Sequence, residues 1–413
     1  MNEKRHNSKP LKKAPKIALI DRQEHTSLME PLLLQSDKYG DELDDLVLTL
    51  VSESASFKSS MPTVFATSLC QLVRSMNCYY SNLIEGHDTH PIDIERALKG
   101  NYSKNPEQRN LQLEAQAHIA VQTWIDEGKM SGSPMALSNL QEIHRRFYEL
   151  LPDELNLITD PQTRKIIRII PGQLRQQDVA VGNHLAISPG AVPRFIQRYE
   201  ETYSTLGKSA RILAGAAAHH RFLWIHPFWD GNGRVARLMS YASMLETLNT
   251  GGLWSIARGL ARQQQEYKSH LSQCDQARRG THDGRGALSE KALFEFSKFF
   301  LTTCIDQVKF MKSLVRPDLL RKRVINWAND EITHRRLPPR TNIILESLLS
   351  TGAVQRSDIP EILDLSPAGA RRVIAALAEQ EIVVSDSSRA PVRLAFPATM
   401  AAHWLPGLFP EKY

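Results

Sequence analysis

The stretch His226-Pro227-Phe228-Trp229-Asp230-Gly231-Asn232-Gly233-Arg234-Val235-Ala236-Arg237 constrains this chain more than any other, because it sets a base, a carboxylate, a glycine-rich turn and two arginines at one helix boundary. Upstream, Ser209 to Ile225 carries apolar side chains at helical spacing, and Pro227 cannot continue a helix, so His226 is expected at a helix exit. Downstream, Arg234 to Leu245 reads as a second helix. Its first-turn amides lack intrahelical partners, point toward the turn and form the positive end of a dipole, which suits an anion. Gly231 and Gly233 flank Asn232 and allow positive φ angles and close approach to a phosphate. Arg234 and Arg237 share a helix face and can reach one phosphate chain through charge-assisted bonds. Asp230, the only carboxylate of the cluster, suits Mg²⁺, which takes one or two protein carboxylates plus phosphate oxygens. His226 remains as the group that titrates near neutrality and can take a proton from an attacking hydroxyl. A lone histidine here would read as a helix cap and a lone arginine pair as solvated charge; the whole cluster points to a nucleoside triphosphate.

The stretch resembles the Fic family signature, H-P-F-x-D/E-G-N-G-R-x-x-R, and every fixed position is present. The resemblance implies a mainly α protein with a Fic-type helical bundle. It also implies transfer of AMP from ATP to a Ser, Thr or Tyr hydroxyl of a protein target, with pyrophosphate released. In that reading His226 deprotonates the target hydroxyl and Asp230 holds Mg²⁺. The turn amides of Gly231 and Gly233, together with Asn232 and Arg234, stabilise the phosphates, Arg237 orients the γ-phosphate, and Phe228 is the buried anchor of the loop. The Doc branch of the family, which phosphorylates, replaces the second glycine of G-N-G-R by Lys, so Gly233 argues against phosphorylation.

Two further segments extend the resemblance. Thr63 to Tyr80 reads as a helix that stops at Gly86, which leaves Glu85 at a C-terminal end where the dipole disfavours negative charge and a cation is wanted. Ser81 to Gly86 resembles the Fic inhibitory motif, S/T-x-x-x-E-G/N. The resemblance implies that Glu85 pairs with Arg237 and fills the space of the ATP γ-phosphate, with Ser81 helping to seat the helix. In some family members the same glutamate positions water for removing AMP, so the direction of reaction stays open. Val179 to Ile187 alternates small apolar residues around Gly182-Asn183, the mark of a short hairpin. In Fic proteins a flap hairpin precedes the motif, and here Val181, Gly182 and Asn183 would bind an extended target by strand addition. Arg175 lies at its base, and Tyr267 falls where the family often places an aromatic near the nucleotide base.

A chain of 413 residues, 42% of them hydrophobic, is expected to fold as about two or three globular domains. Lys4, Arg5, Lys9, Lys12, Lys13 and Lys16 mark a basic, solvated tail over residues 1–36 that could supply most of the net charge of +6, which is therefore weak support for nucleic-acid binding by a folded part. An N-terminal helical region (37–125) holds the inhibitory helix (63–86); the catalytic core follows (126–315), then a linker helix (316–340). Residues 341–413 change character: three short helices and the strands Ile382-Val383-Val384 and Val392-Arg393-Leu394 resemble a small α/β winged-helix domain. Arg371 and Arg372 on the third of these helices, in the place of a recognition helix, could contact DNA, and docking to protein is an equal alternative. Cys70, Cys78, Cys274 and Cys304 lack Cys-x-x-Cys spacing, which fits a reduced, cytoplasmic setting without a zinc site. No apolar run reaches membrane-span length. His219 and His220, adjacent on a helix, are expected to support packing rather than bind metal. The partners expected are thus ATP and a hydroxyl-bearing protein target, with self-modification and homo-oligomerisation open. The rival expectation is a winged-helix DNA-binding regulator whose Fic core mainly removes AMP.

Overall fold

The computed structural model describes residues 19–61, 63–160, 164–182 and 184–410. Helices dominate. In chain order they are α1 (Ser36–Ser60), α2 (Thr63–Ile84), α3 (Pro91–Leu98), α4 (Pro106–Asp126), α5 (Leu137–Glu149), α6 (Val192–Tyr203), α7 (Lys208–Leu213), α8 (Gly215–Ile225), α9 (Asn232–Leu248), α10 (Ala257–Arg262), α11 (Gln264–Cys274), α12 (Glu290–Leu314), α13 (Pro317–Thr333), α14 (Thr341–Thr351), α15 (Ile359–Leu363), α16 (Pro367–Glu379) and α17 (Ala401–Trp404). The strands are β1 (Leu157–Thr159), β2 (Ile166–Arg168), β3 (Ala180–Val181), β4 (His184–Leu185), β5 (Ala353–Val354), β6 (Val383–Val384) and β7 (Val392–Leu394), all paired antiparallel.

The two helices that flank the signature turn are the most enclosed. Residues all around α8 and along most of α9 are buried, as expected of a central helix rather than an amphipathic surface one. They pack on each other, with α6 and α12 against α8, and α4 and α5 against α9. The single helix expected over Ser209 to Ile225 is divided at Ala214, where Gly215 lets Met244 and Phe300 approach closely. Likewise the continuous helix expected over Arg258 to Leu271 breaks at Gln263, whose backbone (φ −113°, ψ 37°) is not helical.

Helix α2 runs to Ile84 and stops as expected at Gly86, whose φ of +90° closes the end. His87 N–H bonds to Asn82 O (2.9 Å) and Gly86 N–H to Leu83 O (3.0 Å), the paired bonds of a Schellman cap. The expected hairpin forms with Ala180 opposite Leu185 and Val181 opposite His184, and Gly182 has φ +58°. Asn183 at its tip lies outside the described residues.

The basic residues Lys4 to Lys16 also lie outside the described residues. The solvated tail expected as far as Ser36 is not what residues 19–35 form. Arg22 N–H bonds to Ser188 Oγ (3.0 Å), Arg194 pairs with Asp21 (2.7 Å), Arg221 donates to Pro31 O, and Met29 and Leu32 are buried. Two apolar anchors and a set of ion pairs hold residues 19–35 on the helices.

Beyond α13 and the turn at Arg340, α14 and α16 pack against a three-stranded sheet of order β5-β7-β6, and α15 lies against both helices. The expected two-strand wing is thus joined by β5, a strand too short to show a pattern. Ile344, Leu348, Leu363, Val373 and Leu377 form its core. The chain then folds back on α2: Ser68 Oγ donates to Leu394 O (2.8 Å) and Tyr80 Oη to Leu408 O (2.9 Å). Trp404, fully buried, packs edge-on against Trp327 (5.3 Å) and Phe396 (6.2 Å). Among the described residues no helix is long and apolar enough to cross a membrane. Trp404→Ala is expected to cost about 3–5 kcal/mol by opening a cavity at this junction, read as a lower midpoint in equilibrium urea unfolding.

Candidate active site

The exit of α8 is a left-handed residue, His226 (φ 50°, ψ 62°), an uncommon backbone state for a residue with a Cβ. Arg175 holds it there. That side chain, 1% exposed, donates from Nε to His226 O (2.7 Å) and from its terminal nitrogens to Gln177 O (2.9 Å) and Ile187 O, while its own amide bonds to Pro227 O (2.9 Å). One buried guanidinium therefore ties the helix exit to the base of the hairpin. His226 Nδ1 donates to Leu223 O (3.3 Å), which leaves Nε2 as the acceptor. Burial, followed by the nearby Arg175 charge, pushes its pKa down to about 4, so the imidazole is neutral at physiological pH.

The turn is shaped from within. Phe228 is fully buried and stacks on His144 with ring centroids 4.1 Å apart. Asn232 spans the turn, accepting from Phe228 N–H (3.0 Å) and donating to Phe228 O (2.9 Å). Its side-chain amide is thus occupied in holding the loop. Of the two glycines, Gly231 has the positive φ (+76°), and an added Cβ there would lie 2.9 Å from Tyr148 Oη. The expectation that both glycines supply it is corrected for Gly233, which sits inside α9. There the missing Cβ makes room for a neighbour: it would fall 2.5 Å from Glu85 Oε1 and 3.0 Å from an Arg237 nitrogen. No side chain caps the first turn of α9, so its amides face the turn unclaimed by a capping oxygen.

Asp230 is oriented by Tyr148, whose hydroxyl donates to Oδ2 (2.6 Å), and it lies 3.8 Å from Arg234. Burial, reinforced by Asp230, raises the Tyr148 pKa well above its usual value and keeps the hydroxyl a donor. The carboxylate is half exposed. A single accessible carboxylate fits Mg²⁺ held mainly by phosphate oxygens and water, and among the described residues no cluster of three metal-ligating side chains offers a closed site.

Both arginines are buried. Arg237, 3% exposed, donates from Nε to Ser81 Oγ (2.9 Å) and from a terminal nitrogen to Ser81 O (3.2 Å) and to Glu85. Burial works to raise the Glu85 pKa, but Arg237 and then Arg234 outweigh it and hold the carboxyl below its usual range. The sequence-derived pair Glu85 and Arg237 is therefore in contact, with Ser81 on the same guanidinium. Arg234 turns the other way, to Glu114 (3.1 Å), which also meets His87 (2.7 Å), and lies over the Phe147 ring. His118, fully buried on α4, is pushed down to about 3 by burial and by the two arginine charges.

Of these groups, Glu85, His226, Gly233 and Arg237 border a cavity of about 700 Å³, a size suited to a nucleotide. Glu85, Gly233 and Arg237 line one side, His226 and Trp224 the floor, Val181, Gly182 and His184 the hairpin side, and Tyr267 and Asp275 of the α11 region the far wall. His184 anchors the hairpin through Trp224 O (2.8 Å), while Val181 and Leu185 are exposed. His219 bridges Ser240 Oγ (2.9 Å) and the Tyr267 hydroxyl (2.7 Å), and His220 meets Asp275 (3.0 Å), both supporting the wall. Tyr148, Glu114 and His87 escaped sequence reading because their contacts to the motif cross 82, 120 and 147 residues of chain, with no local pattern to announce them. Gly231→Ala, strained by its φ and crowded by Tyr148, is expected to lower stability by about 1 kcal/mol or more, seen as an earlier thermal unfolding transition.

Residues 134–243, which contain α5, the hairpin, α8 and the signature turn, match the Fic/DOC family. The chain is similar to a protein named "Protein adenylyltransferase Fic" of Drosophila mojavensis, 27% identical over 159 residues, covering 37% of this chain and 30% of that protein. It is similar also to the protein of that name in Drosophila erecta, 40% identical over 73 residues, 16% of this chain and 14% of that one. The chain thus spans less than a third of these relatives' length. Among solved structures it is similar to a Fic family protein from Desulfovibrio desulfuricans G20, with a TM-score of 0.49 and 16% identity over 85% of this chain and 96% of that one. A second is Fic-1 from C. elegans, with a TM-score of 0.49 and 15% identity over 68% and 75%. The stretch of this chain that carries the base, the carboxylate and both arginines is the stretch it has in common with the Fic/DOC family.

Proposed function

We propose that this protein transfers AMP from ATP to a hydroxyl side chain of a protein target and that Glu85 restrains the reaction. The observation that carries the reading is the convergence, on one cavity, of a neutral imidazole with a free Nε2, the uncapped start of α9 and the Arg237 guanidinium held by Glu85. The Fic/DOC match over 134–243 and relatives named protein adenylyltransferase support it.

In this reading the triphosphate lies along the first turn of α9. The target hydroxyl oxygen attacks the α-phosphorus, its proton passes to His226 Nε2, and the bond from the α-phosphorus to the bridging oxygen breaks to release pyrophosphate. Arg234 and the turn amides of Gly231, Asn232 and Gly233 answer the growing negative charge. Asp230, fixed by Tyr148, would hold Mg²⁺, which when bound supplies charge neutralisation on the phosphates. Backbone of the β3–β4 hairpin, at Val181, Gly182 and Asn183, would seat the target chain by strand addition. Arg237 would take the γ-phosphate once Glu85 leaves it; with Glu85 in place the same nitrogen is spent on a carboxylate, and a second anion there is repelled.

For the C-terminal unit, five arginines stand against seven acids between 341 and 410, which favours protein docking over the nucleic-acid role. Its seat on α2, the helix that carries Ser81 and leads into Glu85, agrees with that choice.

Labelled ATP with Mg²⁺ tests the reading. Self-labelling is expected to rise at least about tenfold in Glu85→Gly, since a buried charge-assisted bond to Arg237 is removed, and to vanish in His226→Ala. A Glu85→Gly protein that takes no label refutes it. The pH profile follows from the His226 shift: its pKa is lowered, so the base is available at neutral pH and is lost as pH falls through about 4. Labelling by the Glu85→Gly protein should therefore be flat from about pH 6 upward on account of this group and decline below about pH 5. A decline centred at an ordinary histidine pKa, about 6.5, would count against a base of lowered pKa.

A further inference from the structure

Glu114, on α4 and outside the Fic/DOC match, occupies an unusual position. Its Oε2 accepts from an Arg234 terminal nitrogen at 3.1 Å and lies 2.7 Å from His87 Nδ1. His87 is the residue that closes the Schellman cap of α2, directly after Glu85 and Gly86. One carboxylate oxygen therefore joins the end of the glutamate-bearing helix to the first turn of the helix that begins the phosphate site. The geometry around Arg234 is specific. The guanidinium is planar, so bonding one terminal nitrogen to Glu114 while its central carbon stands over the Phe147 ring (5.0 Å) restricts its orientation. The other terminal nitrogen then faces Asp230 at 3.8 Å, and Nε, buried, has no hydrogen-bond partner among the described residues. Arg234 belongs to the first turn of α9, whose start no side chain caps, and a buried N–H left unpaired is a donor without its acceptor. Burial works against the Arg234 charge, and Glu114, with Tyr148 and Asp230, restores it and holds the group above its usual pKa.

We propose that Glu114 is a positioning residue for the nucleotide: it orients Arg234 so that the free guanidinium edge faces the phosphates, and does so from outside the signature motif. The inference rests on the AMP-transfer reading. His87 is the companion contact. It holds Glu114 between a guanidinium and an imidazole, and Glu114 in turn raises the His87 pKa, so all three side chains stay in one hydrogen-bonded group.

The test is equilibrium binding of ATP with Mg²⁺, by calorimetry, to the full chain carrying Glu85→Gly, a background in which any loosening of α2 through His87 no longer matters. Glu114→Ala is expected to weaken ATP binding on the order of tenfold, and the isosteric Glu114→Gln about threefold, as losses of a buried charge-assisted bond. Arg234→Ala should weaken it also, and adding Glu114→Ala to Arg234→Ala should cause no further loss, because the carboxylate acts through that arginine. A merely structural Glu114 would give losses that add. Unchanged affinity in both Glu114 variants, or additive losses, overturns the proposal; should Glu114→Ala melt early, Glu114→Gln decides alone. A Glu85→Gly parent that binds no ATP and takes no label instead removes the AMP-transfer reading itself, and this inference with it.

Discussion

A guanidinium with 3% of its surface open to water must be answered by an anion, and the placing of Arg237 imposes that demand on everything near it. Its position is set by α9, whose first turn begins at a glycine with φ +76° and is closed from inside by Asn232. The answer comes from α2, where Ser81 and Glu85 lie one turn apart and reach the same guanidinium. Gly233 completes the fit by having no Cβ where the Glu85 carboxylate must pass. A glutamate at a helix C-terminus is unfavourable on local grounds by a few tenths to about 1 kcal/mol, and the buried partner charge is what makes it tenable.

Because α2 supplies that anion, whatever holds α2 bears on the site. The helix packs against α4 and α10 on one side, while the C-terminal unit grips it near both ends, through Ser68 at the start and Tyr80 a turn before Glu85. Arg258 of α10 joins the same junction, donating to Gly407 O (2.9 Å) and lying 3.5 Å over the Phe310 ring. The C-terminal unit is thus in direct contact with the helix that leads into Glu85. On the other face, Arg175 performs a comparable task for the hairpin and the His226 backbone with five hydrogen bonds among nearby carbonyls and its own amide.

Much of this was legible in residues alone. The two helices about the turn, the stop at Gly86, the hairpin around Gly182 and the helices of the C-terminal unit follow from spacing, proline, glycine and capping, all of which act within a few residues. The departures share a cause. The split at Ala214, the strand β5 and the packed course of residues 19–35 are each met by neighbours far along the chain, and local propensity is silent on them. Asn232 shows the same limit at the site: its presence in the turn was evident, but its side chain is committed to the Phe228 backbone.

By itself, then, the sequence determined which chemical groups stand at the turn and in what order, because a helix, a bend and a second helix place His226, Asp230, Arg234 and Arg237 by short-range geometry. Only the tertiary structure decided their state. Burial and Arg175 make His226 neutral, Tyr148 orients Asp230, and Glu114 and Glu85 draw the two arginines to opposite sides. Protonation, orientation and charge pairing depend on desolvation and on partners brought from more than 50 residues away, and those exist only once the chain has folded.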